Sequence, residues 1–307
     1  MKIRGERKCH DCGNRWSYFE TGTVECPDCG SLRSVGTTAR ATHTDSPVTL
    51  ELSPHRDRFG EARGTLPTEG IDDLKRDLRE YVHKRGFIHS GELRDLDSTY
   101  LAARELIEAV DVYDRLRNPT DADREYLLAL LAGADDGDRP DTTVVPEAMR
   151  EARGMAAVRS VDEYRADLST FLEELADLRE PAGGKGEGAV SVRDVGVGVD
   201  AERNGERDAN VEDADVDVAV DDVDVDAVDD VDVDAVDDVD VDRVAPAREA
   251  LERLRDRIRR VEALQGDVEP ATADALVAAA NALGDYVRSG TTASLERARD
   301  RIDESEP

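Results

Sequence analysis

The chain has 307 residues, enough for two ordinary domains, and a formal net charge of −31 from 72 acidic against 41 basic residues. The only lysines are Lys2, Lys8, Lys75, Lys84 and Lys185, and so much acid with so little lysine predicts a protein suited to molar salt, where a Debye length of about 3 Å leaves little long-range steering. Aromatic residues make up 4%, which argues against large cores. No apolar run approaches a membrane span, and the charged opening MKIRGERKC lacks the apolar stretch of a secretory signal, so a cytoplasmic protein is expected.

Residues 1–36 form the first unit. They hold Cys9-His10-Asp11-Cys12-Gly13 and Cys26-Pro27-Asp28-Cys29-Gly30, with thirteen residues between Cys12 and Cys26. Two residues between cysteines let a tight turn aim both sulfurs at one ion while backbone N–H groups point at those sulfurs. The following glycine takes a conformation that a Cβ disfavours. Two such knuckles supply four thiolates, the closed tetrahedral set of a structural zinc site, and every cysteine of the chain is used. In a reducing cytosol, paired couplets read as metal ligands rather than disulfides. Cys9, Cys12, Cys26 and Cys29 are therefore assigned to one Zn2+ ion. Between the knuckles Arg15 to Phe19 is strand-like, Glu20-Thr21-Gly22 a turn, and Leu32 to Val35 a candidate third strand.

Residues 37–66 are rich in Thr, Ser, Pro and Gly and read as a linker; Val48 to Leu52 alternates as a strand would but has no evident partner. From 67 to 182 the pattern is helical. Ile71, Leu74, Leu78, Tyr81 and Val82 share a face that ends in His83, Lys84 and Arg85 before Gly86, read as a C-cap glycine. A longer stripe runs from Leu93 to Tyr113 and stops at Asn118-Pro119. Thr120 caps a short helix closed by Gly133, and a last helix is expected to open on a capping box at Ser160 and Glu163 and to end at Pro181. Amphipathic helices in that number predict a helical bundle.

Residues 183–244 read as a disordered acidic spacer. No base lies between Arg207 and Arg243, and VDVDAVDD repeats at 223–230 and 231–238. Like charges would stack along any sheet this pattern formed, and a calcium-loop reading lacks the glycine that its turn requires. Residues 245–307 return to helical spacing, with stripes from Leu251 to Leu264, Leu276 to Val287 and Leu295 to Ile302. A unit this small and poor in aromatics is marginal alone and is expected to pack on the middle bundle or on another copy of itself. The fold class is thus mainly α: a small N-terminal β zinc ribbon, a helical bundle, the spacer, and a C-terminal helical hairpin or three-helix unit.

The CxxCG and CPxCG pair resembles the zinc-ribbon family, including the ribbon of transcription factor B, and the knuckles of rubredoxin. Rubredoxins place a longer gap between knuckles that hold iron, so the shorter gap favours zinc. The transcription factor B likeness implies that the loops around the four cysteines are a docking surface for RNA polymerase, although no pair of cyclin-like repeats follows. The ordering of ribbon, helices and acidic spacer is similar to zinc-ribbon proteins of halophilic archaea that have no assigned function.

Residues 1–40 carry Lys2, Arg4, Arg7, Lys8, Arg15, Arg33 and Arg40 against five acids, the least acidic stretch of the chain. With Trp16, Tyr18 and Phe19 beside them, these could meet nucleic acid or polymerase, or the aromatics could simply cover a small core. Arg253, Arg257 and Arg260 share a helix face, open to phosphate or to pairing with nearby acids. His10, His43, His55, His83 and His89 are scattered, and no HExxH, nucleophile elbow, phosphate loop or Cys/His catalytic set occurs. No catalytic residue and no enzyme activity are expected. The expected function is a binding or adaptor module with a protein partner, or nucleic acid through the ribbon, and no membrane. The alternative is an assembly protein whose C-terminal helices form an oligomer and whose ribbon only stabilises one end.

Overall fold

The computed structural model describes residues 1–59, 69–177 and 243–306. Short antiparallel pairings come first. Strand β1 (Lys2–Arg4) pairs with β5 (Arg40–Thr42), and β2 (Glu6–Cys9) lies between β3 (Arg15–Ser17) and β4 (Ser34–Gly36). The strand expected over Arg15 to Phe19 stops at Ser17, and Tyr18–Thr21 winds into a helical turn, α1, closed by Gly22 at φ 66°. The turn places Phe19 on the ring of His43, 4.6 Å between centroids, while Trp16 stays with the cysteines.

Residues 37–66, expected as a linker, are built into the body as far as Phe59. Strand β5 closes on β1, so the N-terminal unit does not end at residue 36. Leu50, Leu52, His55 and Phe59 are buried, the last two on helix α2 (Ser53–Phe59). The Leu52 N–H donates to Asp135, Arg56 pairs with Asp135 at 2.6 Å, and His55 meets Asp77 at 2.9 Å. No strand forms over Val48 to Leu52: Leu50 and Leu52 are buried, and the Leu52 N–H is taken by the Asp135 side chain instead of a neighbouring strand.

The helical body follows as α3 (Ile71–Lys84), the hairpin β6 (Ile88–His89) and β7 (Glu92–Leu93), α4 (Ser98–Arg115), α5 (Asp121–Gly133) and α6 (Arg150–Asp177). Helix α3 ends on Arg85 in extended geometry rather than on a left-handed glycine. Gly86 is required for a different reason: a Cβ there would strike the Thr44 backbone, which crosses it closely. The Asp97 side chain caps α4 at the Tyr100 N–H, and Thr120 with Asp123 forms a reciprocal capping box on α5. Ser160 and Glu163 do not open a helix. Helix α6 already runs from Arg150, Ser160 is fully buried within it, and Glu163 accepts from Tyr100 and Arg104 of α4. The local S-x-x-E pattern was overridden because α6 continues the apolar face upstream through Ala152, Ala156, Ala157 and Val158.

Helices α7 (Val244–Ala263), α8 (Pro270–Ser289) and α9 (Thr292–Glu304) complete the body. They pack on α6 and on one another rather than standing apart. Asn281 exchanges two hydrogen bonds with the Leu96 backbone, at 3.0 and 3.2 Å, and Arg150 meets Glu269 at 2.8 Å. Gly154, in the second turn of α6, has a packing reason: a Cβ there would overlap the Gly266 carbonyl of the turn between α7 and α8. The deepest bridge is ionic. Glu105 of α4 is fully buried and accepts from Tyr126 of α5, from Arg139 at 2.6 Å and from Arg153 of α6 at 3.3 Å; Arg153 in turn grips Asp274 of α8 at 2.6 Å. Few aromatics do not mean a small core here, because all but Tyr18 and Phe171 are buried. Phe87 sits edge-on to both Tyr100 and Tyr164, 5.0 Å from each. The acidic repeat, the calcium alternative considered for it and the helix end expected at Pro181 lie outside the described residues.

Candidate metal centre

The two cysteine runs fold into the same turn twice. In the first, the Gly13 N–H donates to the Cys9 carbonyl at 3.2 Å and the Cys9 N–H to the Asn14 carbonyl at 2.9 Å. In the second, Gly30 donates to Cys26 and Cys26 to Ser31, both at 2.9 Å. Gly13 and Gly30 hold φ of 77° and 69°, the left-handed region where a side chain is strained. Each turn therefore needs its glycine, and each lifts two sulfurs to one side. Strand β2 delivers Cys9 into the first knuckle. The His10 N–H donates to the Arg33 carbonyl at 2.8 Å and ties that knuckle to the residues that follow the second.

The four sulfurs meet. Cys9 Sγ lies 3.7 Å from Cys29 Sγ, Cys12 Sγ lies 3.5 Å from Cys26 Sγ, and all four fall within 4.8 Å of one another. A tetrahedral ion with bonds of about 2.3 Å spaces its sulfurs about 3.8 Å apart, so the cluster has the dimensions of a single-ion cage. Cys9 and Cys26 are buried with Trp16 in one small core, and Cys12 and Cys29 face solvent. Trp16 is locked there by an indole N–H bond to the Thr23 carbonyl at 3.1 Å. Two of the three residues in that core belong to the cysteine cluster, so the core and the candidate metal site are the same object.

Electrostatics agree. The Cys12 N–H stabilises the Cys9 thiolate and holds its pKa below the ordinary thiol value; burial opposes this and the Asp11 N–H, at 3.4 Å from the sulfur, adds to it. Burial raises Cys26, but the N–H groups of Cys29 and Asp28 with the adjoining sulfurs outweigh it and leave Cys26 at about 7. The Asn14 N–H lowers Cys12, yet the other sulfurs and burial push it up to about 12. Cys29 is raised as well, the Ser31 N–H notwithstanding, by burial and by Cys26 and Cys9. Four sulfurs this close share protons unless a cation sits among them; a bound ion lets all four ionise.

The other residues singled out in the sequence have ordinary partners. Arg253 and Arg257 reach Asp303, and Arg257 and Arg260 reach Glu306 at 3.1 Å, so the basic face of α7 is paired with the chain's own C-terminal acids. His55 pairs with Asp77; His43 and His89 stack against Phe19 at the seam between the β unit and the helices; His10 and His83 are exposed. Of the three aromatics considered for stacking, Trp16 and Phe19 are buried and only Tyr18 keeps an accessible face. Sequence reasoning missed the seam. His43 Nδ1 accepts from the Ser90 N–H, and Asp45 is held by Arg85 at 2.7 Å and Arg94 at 3.4 Å.

The chain matches a family model described as "Family of unknown function (DUF7117)" over residues 1–186 and 199–302. The chain belongs to this family. The match takes in the cysteines, the helical body and most of α9. No curated protein and no solved structure matches the chain. No helix among the described residues is long and apolar enough to cross a membrane.

Proposed function

We propose that this protein is a zinc-binding docking module without enzymatic activity, in which the metal-held ribbon presents a contact surface and the helices are its scaffold. Zinc fits the closed set of four thiolates, which leaves no coordination position for a substrate, and the short gap between knuckles supports it over iron. The observation that carries the docking reading is where apolar side chains are exposed. Val24, Leu32 and Val35, at 42%, 72% and 44%, lie on the ribbon, whereas among the described residues the helical body exposes only Val144 and Leu264 of comparable size. The apolar stripes of α7, α8 and α9 are covered by α6 and by one another, which weakens the assembly alternative. The likeness to the ribbon of transcription factor B extends the reading to transcription-linked docking, and the acid-rich composition supports a working medium of molar salt.

The test is crosslinking of the full chain in high-salt lysate, comparing wild type with Leu32→Asp/Val35→Asp. Capture of one defined partner by the wild type and its loss in the variant, with metal content unchanged, is the expected outcome. Equal capture by both would show that the ribbon face is not the contact.

A further inference from the structure

Antiparallel pairing sets Arg4 of β1 directly opposite Arg40 of β5. Like charges in directly opposed positions destabilise a strand pair, and this protein has 72 acidic residues with which to relieve them. It does not do so. Among the described residues no carboxylate pairs with Arg4, Arg7 or Arg40. Arg4 donates to the Gly36 carbonyl at 3.2 Å, and Arg7 to the Ser34 hydroxyl and carbonyl at 3.1 and 3.3 Å. Arg56, Arg85, Arg139, Arg153 and Arg257 of the helical body behave differently and hold carboxylates. The three unrelieved guanidiniums line one groove of about 450 Å3, whose wall also includes Lys2, Tyr18 and Val24 and no acid. Lys2 is neutralised by Glu174 at 3.1 Å, so the groove's uncompensated charge is that of Arg4, Arg7 and Arg40.

We infer that this groove binds a single-stranded nucleic acid, with one phosphate seated between Arg4 and Arg40, Arg7 on the next, and a base on the ring of Tyr18. A phosphodiester removes the like-charge cost of the Arg4–Arg40 pair, and the guanidinium fork matches its oxygens. A strand, unlike an acidic peptide, also uses the one aromatic of the ribbon that is neither buried nor spent on the metal core. The inference rests on the ribbon being metal-held and is independent of the apolar contact proposed above.

The experiment is fluorescence anisotropy of a labelled twelve-nucleotide oligothymidylate with zinc-loaded full-length protein. It is run above about 0.3 M salt, where a Debye length under about 6 Å screens the protein's overall negative charge. Two seated phosphates at about 0.7 each predict that log Kd rises with log salt with a slope of about 1.4, so doubling the salt weakens binding about 2.6-fold. Arg40→Gln, at an exposed position, should weaken binding about fivefold or more and lower the slope by less than about 0.7, because Arg4 still holds that phosphate. Tyr18→Leu should cost about tenfold and leave the slope unchanged. Arg255→Gln, on the exposed face of α7, should change nothing. Zinc content and Trp16 emission confirm that each variant is folded.

Absence of binding at 0.3 M salt by folded, zinc-loaded protein overturns the inference, as does an Arg4→Gln/Arg7→Gln/Arg40→Gln variant that binds within twofold of wild type. Equal competition by a dodeca-aspartate peptide, with no effect of Tyr18→Leu, would assign the groove to an acidic protein segment instead. None of these results bears on crosslinking through Leu32 and Val35, so the two readings fail separately.

Discussion

Single cysteine-to-serine replacements should divide into two classes, and the division follows from burial. A structural zinc site contributes about 10–16 kcal/mol at neutral pH. Shared among four bonds, that is about 2.5–4 kcal/mol per sulfur, or about 10^2 to 10^3 in metal affinity at 1.4 kcal/mol per decade. Cys12 and Cys29 face solvent, so a water can take the vacated position and little packing is lost. Cys12→Ser and Cys29→Ser should therefore weaken zinc by about 10^2 to 10^3 and keep a native Trp16 signal once zinc is saturating. Cys9 and Cys26 are each 1% exposed and pack with Trp16, so a serine there also puts an unpaired hydroxyl into the only core the ribbon has. For these two, Trp16 emission should stay red-shifted at any zinc concentration. Competition with a chromophoric chelator gives the affinities, and emission of this single tryptophan gives the fold. Complete metal removal should barely move the helical circular dichroism, because the ribbon's only helix is the four-residue α1. The reasoning fails if every single variant retains one zinc within tenfold of wild-type affinity, or if Trp16 reports the same environment with and without metal.

Glu105→Gln should destabilise the helical body by about 3 kcal/mol in urea unfolding, because Arg139 and Arg153 lose their buried carboxylate; the cost is near the low end for a broken buried pair because Asp274 still holds Arg153. Gly154→Ala sets about 1 kcal/mol of gained helix propensity against overlap with the Gly266 carbonyl; overlap should win, with a net loss of about 1–2 kcal/mol in the same assay. Burial, with the neighbouring His89, lowers the His43 pKa to about 4, against the ordinary 6.5 that the unfolded chain retains. The fold thus favours neutral His43: its contribution is complete above about pH 6.5 and is lost as the pH falls toward 4. A comparison of melting temperature against pH for wild type and His43→Gln should show the variant losing less over that window; parallel curves would show that His43 is not the titrating group.

How far the sequence could be read depended on whether the cause was local. The knuckles were legible because a CxxCG run carries its own turn, donors and glycine within five residues. The cap at Thr120 is local in the same sense. Ser160-x-x-Glu163 misled because a capping box is only a local preference, and the tertiary burial of Ala152 to Val158 extends α6 through it. The stretch from 37 to 59 misled because Thr, Ser and Pro have loop propensity, while the contacts that hold it, such as Leu52 to Asp135, span more than eighty residues. Gly86 read as a cap because glycine serves two purposes, and only the structure brings Thr44 across it.

The sequence alone determined that four cysteines converge on one cluster that could hold a metal ion, because ligand type, spacing and turn chemistry are all encoded within each run. It also determined the mainly helical class, because the 3.6-residue period of leucine, alanine and tyrosine is written along the chain. Only the tertiary structure decided what surrounds those elements. It set Arg4 against Arg40 across strands 36 positions apart and placed Glu105, Arg139, Arg153 and Asp274 in one buried network. It also spent Arg253, Arg257 and Arg260 on the C-terminal acids and Arg33 on Asp11, while leaving Arg4, Arg7 and Arg40 without a carboxylate among the described residues. Composition counts charges, but pairing depends on which distant segments the fold brings within about 4 Å, and that distance is set by packing that no local pattern records.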